Sequence, residues 1–134
     1  MKILFIGGGN MSFAIISGLI LNKHSIFVID PLHLARKKIL ELAKKTNSMS
    51  SIEVFGDLDE FSKKNIMPSW IVLAVKPQQI SAINLEIKKI MPKFISKSPL
   101  MSIVAGLSIK TLKKITKNDH IIRTMPNTPS LIKM

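Results

Sequence analysis

Apolar positions along the chain follow two spacings in turn. "KILFI" (2–6) is a short apolar run stopped by glycine, which predicts a buried strand. From Asn10 the period changes. Met11, Ala14, Ile15, Gly18 and Leu19 recur at helical spacing and form one apolar face, and "NKHS" (22–25) ends that helix. "IFVID" (26–30) reads as a second strand, rich in branched and aromatic residues. Pro31 follows, and then a helix over 32–45 whose lysine-rich end suits the helix dipole. "SIEVF" (51–55) is a weaker third strand, after which Asp57 is placed to cap a short helix over 58–64.

The second half repeats the scheme. "WIVLAV" (70–75) is continuously apolar, as expected of a strand buried on both faces. The stretch 76–94 carries Ile80, Ile83, Ile87 and Ile90 at helical spacing, with Pro77 suited to its first turn. "LMSIVAG" (100–106) is another buried strand ending in glycine. Ser108 caps a helix that puts Ile109, Leu112 and Ile115 on one face, "HIIRTM" (120–125) is a sixth strand, and "PNTPS" (126–130) is a proline-rich loop. Strict alternation of strand and helix predicts an α/β fold: a Rossmann-like, doubly wound, mainly parallel sheet with helices on both faces. The absence of an internal repeat or linker makes residues 1–134 one domain. Ligands of such sheets sit beyond the carboxyl ends of the strands, near the switch point. The segments at those ends are "GGGNM", "DP", "AVKP", "VAG" and "MPNTP".

Composition narrows the class. The chain has 134 residues, 46% of them hydrophobic, which suffices for one domain with a real core. It begins "MKILFIGG" without a signal peptide or an apolar span of ~20 residues, so a cytoplasmic protein off the membrane is expected. Cysteine is absent, which excludes disulfides and thiolate metal sites. All but Arg36 and Arg123 of the 20 basic residues are lysine, and the net charge is +12. A nucleic-acid surface is one reading of that charge. Against it stand 5% aromatics, no tyrosine and no arginine cluster to read base edges. The joint excess of lysine and isoleucine points instead to AT-rich codon usage. No nucleic-acid partner is expected, although anionic ligands in general are attracted.

The glycine loop carries the first chemical signal. A pyrophosphate needs backbone N–H groups aimed at it and no side chain in the way, with the positive end of a helix behind. Gly7 and Gly9 fill the first two slots of G-x-G-x-x-G, Gly8 sits in a variable slot, and the third slot holds the small Ser12. Asp30 ends the second strand about 20 residues past Gly9, where an acidic residue meets the adenosine ribose. The plainer readings are an ordinary turn for the glycines and a helix cap for Asp30, and the latter can coexist with ribose binding. A carboxylate there accepts hydrogen bonds from both ribose hydroxyls and opposes a 2′-phosphate, a lean towards NADH. Arg36, Lys37 and Lys38 in the next helix pull the other way.

At the other strand ends Lys76 reads either as a crevice residue or as a solvated lysine, and "VAG" as a surface for a flat ring or as plain packing. "MPNTP" is a stiff loop with polar Asn127 and Thr128, or a simple turn. His24, His33 and His120 are scattered without metal spacing, so no metal site is expected, and no nucleophile–base pair is visible.

Four segments, "FIGGGNM" (5–11), "AVKPQ" (74–78), "SIVAG" (102–106) and "IIRTMPNTP" (121–129), resemble pyrroline-5-carboxylate reductase in order and spacing along the whole chain. The last is the most specific to that family. The resemblance implies a domain that binds NADPH or NADH for reduction of the C=N bond of pyrroline-5-carboxylate to give proline. It implies that Ile6, Gly7, Gly8, Gly9, Asn10 and Met11 line the pyrophosphate and that Asp30 meets the adenosine ribose or its phosphate. Asp57 falls where the family often has an asparagine near the adenosine. Ala74, Val75, Lys76 and Pro77 would border the cofactor, with Val104, Ala105 and Asn127 towards the nicotinamide. The catalytic residue is left unassigned. The family's helical C-terminal domain, which dimerises and grips the substrate, has no counterpart in these residues, so the isolated chain is expected to be inactive. Two other readings stay open: a dinucleotide-binding module without catalysis, and the first domain of a related imine or hydroxyacid reductase.

Overall fold

The computed structural model describes residues 1–90 and 92–124. Its strands are β1 (Lys2–Ile6), β2 (Ser25–Ile29), β3 (Ile52–Phe55), β4 (Trp70–Leu73), β5 (Leu100–Ser102) and β6 (Ile121–Arg123). The helices are α1 (Asn10–Leu19), α2 (His33–Lys45), α3 (Leu58–Ser62), α4 (Ile80–Ile90), α5 (Lys93–Lys97) and α6 (Ile109–Thr116), with 3-10 turns at Met49–Ser51 and Pro77–Gln79. The strands form one sheet in the order β3-β2-β1-β4-β5-β6, and every neighbouring pair is parallel. The chain winds outward from β1 to β3, crosses back, and winds outward again from β4 to β6. This is the doubly wound arrangement that the alternation predicts, with its switch point between β1 and β4.

Both faces of the sheet are covered, which explains the unbroken apolar runs. Along β1 the side chains alternate: Ile3 and Phe5 pack with Ile16 of α1 and Ile39 and Ala43 of α2. Leu4 and Ile6 pack on the opposite side with Phe61, Ile87, Phe94 and Leu112 from α3, α4, α5 and α6. Phe27, Phe55, Phe61 and Phe94 form a chain of tilted and edge-to-face rings on that second side, with centroids 5.2–6.4 Å apart.

The largest departures from the expected boundaries have local reasons. β4 stops at Leu73, two residues early, because its partner β1 turns away at Gly7 and the ladder loses its other side. β5 stops at Ser102, opposite Leu73, for the same reason one strand further on. The helix expected over 76–94 is three pieces. Pro77 starts a 3-10 turn, and Pro92, lacking an N–H, sits at the N-cap of the separate α5. The proline-rich loop over 126–130 lies outside the described residues.

Away from the site, Asn118 ties three segments together. It is fully buried, its Nδ2 donates to the carbonyls of Ile95 (2.9 Å) and Ser98 (2.6 Å), and its Oδ1 accepts from the His120 amide at 2.7 Å. This junction fixes the ends of α5 and α6 against the start of β5.

Candidate functional site

The three glycines that follow β1 do three different jobs. Gly7 turns the chain at φ +105°, and a Cβ there would lie 2.7 Å from the carbonyl carbon and oxygen of Ala74. That glycine is required by the close approach of the β1 and β4 ends, whether or not a ligand exists. Gly8 is buried, and a Cβ on it would press on Val28 Cγ1 at 3.0 Å. Gly9 is different. It is exposed, its φ of −78° suits any residue, and a Cβ on it would meet nothing within 4 Å. Nothing in the fold demands glycine at position 9.

Gly9 is also the N-cap of α1. No side chain caps this helix and no acidic residue sits in its first turn, so the amides of Asn10, Met11 and Ser12 are offered without a side-chain acceptor. Ser12, in the third glycine slot, is fully buried and its Oγ donates to the Gly7 carbonyl. It therefore braces the turn as well as allowing close packing. A helix N-terminus without its own anion, reached across a side-chain-free N-cap, fits a pyrophosphate.

Asp30 stands beside this loop, 7% exposed. Its Oδ2 accepts from the Gly8 amide and its Oδ1 from the Leu32 amide, each at 2.8 Å. The α2 N-cap itself is Leu32, so Asp30 binds the cap residue rather than being the cap. Arg36 reaches back from α2, and its Nη1 donates to the Asp30 backbone carbonyl at 2.7 Å. The carboxylate thus clasps the two loops that border the crevice. Asp57 caps α3 as the sequence predicts, with Oδ1 accepting from the Glu60 amide at 2.9 Å, while Glu60 Oε2 takes the Gly56 amide at 2.7 Å.

After β4, the Ala74 amide donates to the Ile6 carbonyl at 2.8 Å and Val75 borders the crevice. Lys76 is exposed, and its amide is taken by Gln79 Oε1 at 2.8 Å, which fixes the start of the Pro77–Gln79 turn. Two expected residues are core residues. Ile6 and Val104 are 1% and 2% exposed and pack on the α4–α6 side, so neither presents its side chain to the crevice. Ala105 is exposed beyond β5, Asn10 is exposed, and Met11 is half-buried. Asn127 lies outside the described residues.

The glycine loop separates two hollows. On the α4 side lies a cavity of about 250 Å³, whose walls include Gly7, Ile29, Asp30, Val75, Ile83 and Glu86. On the α1–α2 side lies a more open groove of about 480 Å³ that Gly8, Gly9, Asn10 and Lys38 help to line. The α4 wall, from Gln79 through Ala82 and Ile83 to Glu86, was not among the residues read from the sequence. Its i, i+3, i+4, i+7 spacing behind a strand-end proline is the signal that finds it. Among the described residues no group of His, Asp and Glu side chains is placed to hold a metal. No helix there is long and apolar enough to cross a membrane.

Comparison with known proteins agrees with this geometry. Residues 2–106 match the model of the family described as NADP oxidoreductase coenzyme F420-dependent. The pyrroline-5-carboxylate reductase of Pasteurella multocida is 35% identical over 98% of this chain, and that of Haemophilus influenzae 33% over 97%. The chain spans less than half the length of these relatives, 46% and 44% respectively. Among solved structures, the Plasmodium falciparum pyrroline carboxylate reductase with NADP bound superposes with a TM-score of 0.63 at 25% identity, covering 98% of this chain and 43% of that one. A 3-hydroxyacyl-CoA dehydrogenase from Archaeoglobus fulgidus superposes with a TM-score of 0.69 at 19% identity, over 98% of this chain and 44% of that one, which speaks for the fold alone. The chain resembles part of the pyrroline-5-carboxylate reductases, and it belongs to the NADP oxidoreductase, coenzyme F420-dependent, family.

Proposed function

We propose that these residues form the dinucleotide-binding part of an NAD(P)H-dependent reductase that converts pyrroline-5-carboxylate to proline. The observation that carries the reading is Gly9: exposed, free of any structural need for glycine, and set at the uncapped start of α1. A bound pyrophosphate accounts for both features. The dinucleotide supplies the hydride when bound. The chain's own part is to hold it: Gly9, Asn10 and Met11 at the pyrophosphate, Asp30 and Asp57 near the adenosine, Val75, Lys76 and Pro77 along the crevice, Ala105 towards the nicotinamide. Gly7, Gly8, Ile6, Ala74 and Val104 serve the site through backbone and packing. Asn127 completes the same set. The substrate assignment follows the named relatives.

Within this reading the site favours NADH. The α4-side cavity is walled by the carboxylates of Asp30, Asp57 and Glu86 in a chain that is otherwise strongly basic. A 2′-phosphate entering there meets like charge in a poorly screened place. Arg36, whose Nη1 donates to the Asp30 backbone carbonyl, keeps its positive charge beside this end of the crevice and pulls the other way, which limits the preference. Calorimetric titration of NADH and NADPH into the native chain, Gly9→Val and Asp30→Asn tests both steps. Tight NADH binding that Gly9→Val loses by tenfold or more, and a preference for NADH that Asp30→Asn reduces, are expected. Equal NADH affinity in the native chain and a folded Gly9→Val rejects the site, and tighter NADPH binding by the native chain rejects the preference.

A further inference from the structure

Glu86 stands out among the carboxylates around the α4-side cavity. Both oxygens of Asp30 are taken by amides at 2.8 Å. Asp57 is committed to the α3 cap and Glu60 to the Gly56 amide. Glu86 has one long contact, its Oε1 accepting from the Leu58 amide at 3.4 Å. Neither ion pair found among the described residues involves it. It is half-buried two helical turns along the α4 wall from Gln79, beside the apolar surfaces of Ile29, Val75 and Ile83. A half-buried carboxylate at an apolar cavity, weakly bonded and with no paired cation among the described residues, is an acceptor waiting for a donor.

The cavity itself says what size of donor fits. At about 250 Å³ it is smaller than the ~300–1,000 Å³ of a site that takes a whole drug-sized ligand. It suits one flat end of a dinucleotide, with the remainder crossing the glycine loop. Adenine is such an end. Its ring nitrogens are acceptors on the base edges, and its exocyclic amino group is the donor there.

Building on the reading that this site holds an adenine dinucleotide, we infer that Glu86 accepts a hydrogen bond from the adenine amino group. The site is thereby selective for a 6-aminopurine over a 6-oxopurine. An ionised carboxylate is acceptor-only, so the carbonyl oxygen of a 6-oxopurine faces it acceptor to acceptor. A glutamine amide carries both a donor and an acceptor and can serve either base by turning over. Glu86→Gln also keeps an oxygen for the Leu58 amide, so the fold has no cause to change. Glu53→Gln is the matched control, since Glu53 is an exposed carboxylate on β3, paired with Lys64 at 3.3 Å and outside the cavity wall.

The test is calorimetric titration of NADH and of reduced nicotinamide hypoxanthine dinucleotide into the native chain, Glu86→Gln and Glu53→Gln. The native chain is expected to bind NADH about tenfold or more tightly than the hypoxanthine analogue, the loss of one charge-assisted hydrogen bond. Glu86→Gln should bring that ratio towards one, and Glu53→Gln should leave it in place. Equal binding of the two dinucleotides by the native chain overturns the inference while leaving the dinucleotide site standing. A ratio that Glu86→Gln leaves unchanged, or that shifts equally with Glu53→Gln, overturns it as well. Binding of neither dinucleotide removes both readings together.

Discussion

At the scale of single residues, neighbouring glycines separate what the fold needs from what a ligand needs. Gly7 holds a positive φ with backbone 2.7 Å from where a Cβ would sit, and rigid backbone has no way to give. Gly7→Ala is therefore expected to cost roughly 3 kcal/mol or more of stability, combining a strained φ with a steric clash. Urea unfolding measures it, and a Gly7→Ala variant as stable as the native chain contradicts the assigned role. The sequence pattern named this loop, but G-x-G spacing records position and not φ, so the close approach of the Ala74 backbone to Gly7 was not legible in it. Asp30 shows the same limit. Its place at the end of β2 was legible, while its two amide bonds depend on how closely the β1 and β2 loops approach in three dimensions. Glu86 went unread because it lies among Lys88, Lys89 and other polar positions that read as a solvated helix face, although its spacing from Gln79, Ala82 and Ile83 marks the wall.

At the scale of elements, all six strands follow from short apolar runs, and the helices from their 3.6-residue period. Where β4 and β5 end early, the cause was a neighbour and not the segment itself: they end where the β1 ladder ends. The split of the 76–94 helix was written in Pro92, but isoleucine periodicity across the stretch masked it. The α5–α6 junction depends on Asn118, whose side chain satisfies two carbonyls and one amide in a fully buried place. Asn118→Ala strands the two buried carbonyls and leaves the part-buried His120 amide without its acceptor. The expected loss is about 3 kcal/mol or more, since each buried unsatisfied group costs ~1–3 kcal/mol and the effects do not fully add. Thermal and urea unfolding check this, and dinucleotide affinity at a temperature where the variant remains folded should stay native, because the junction lies away from the strand ends that carry the glycine loop.

At the scale of the whole molecule, the sheet places the glycine loop, Asp30, Val75, Lys76 and Pro77 on one edge, above the carboxyl ends of β1, β2 and β4, with Asp57 beyond β3 and Ala105 beyond β5, while most lysines lie on helices. Two outcomes of ligand binding are therefore easy to tell apart. A site-bound dinucleotide perturbs the crevice, and a diffuse attraction of phosphate to a +12 surface perturbs lysine-bearing helices such as α6. Amide chemical-shift mapping by NMR, with NADH added to the isotopically labelled chain, makes that distinction residue by residue. The expected result is a saturable shift of Gly9, Asn10 and Met11 together with Val75 and Glu86, and little change along Lys110–Lys117. Shifts confined to the α6 lysines, or no saturable shift at the glycine loop, would contradict the proposal that this edge holds a dinucleotide.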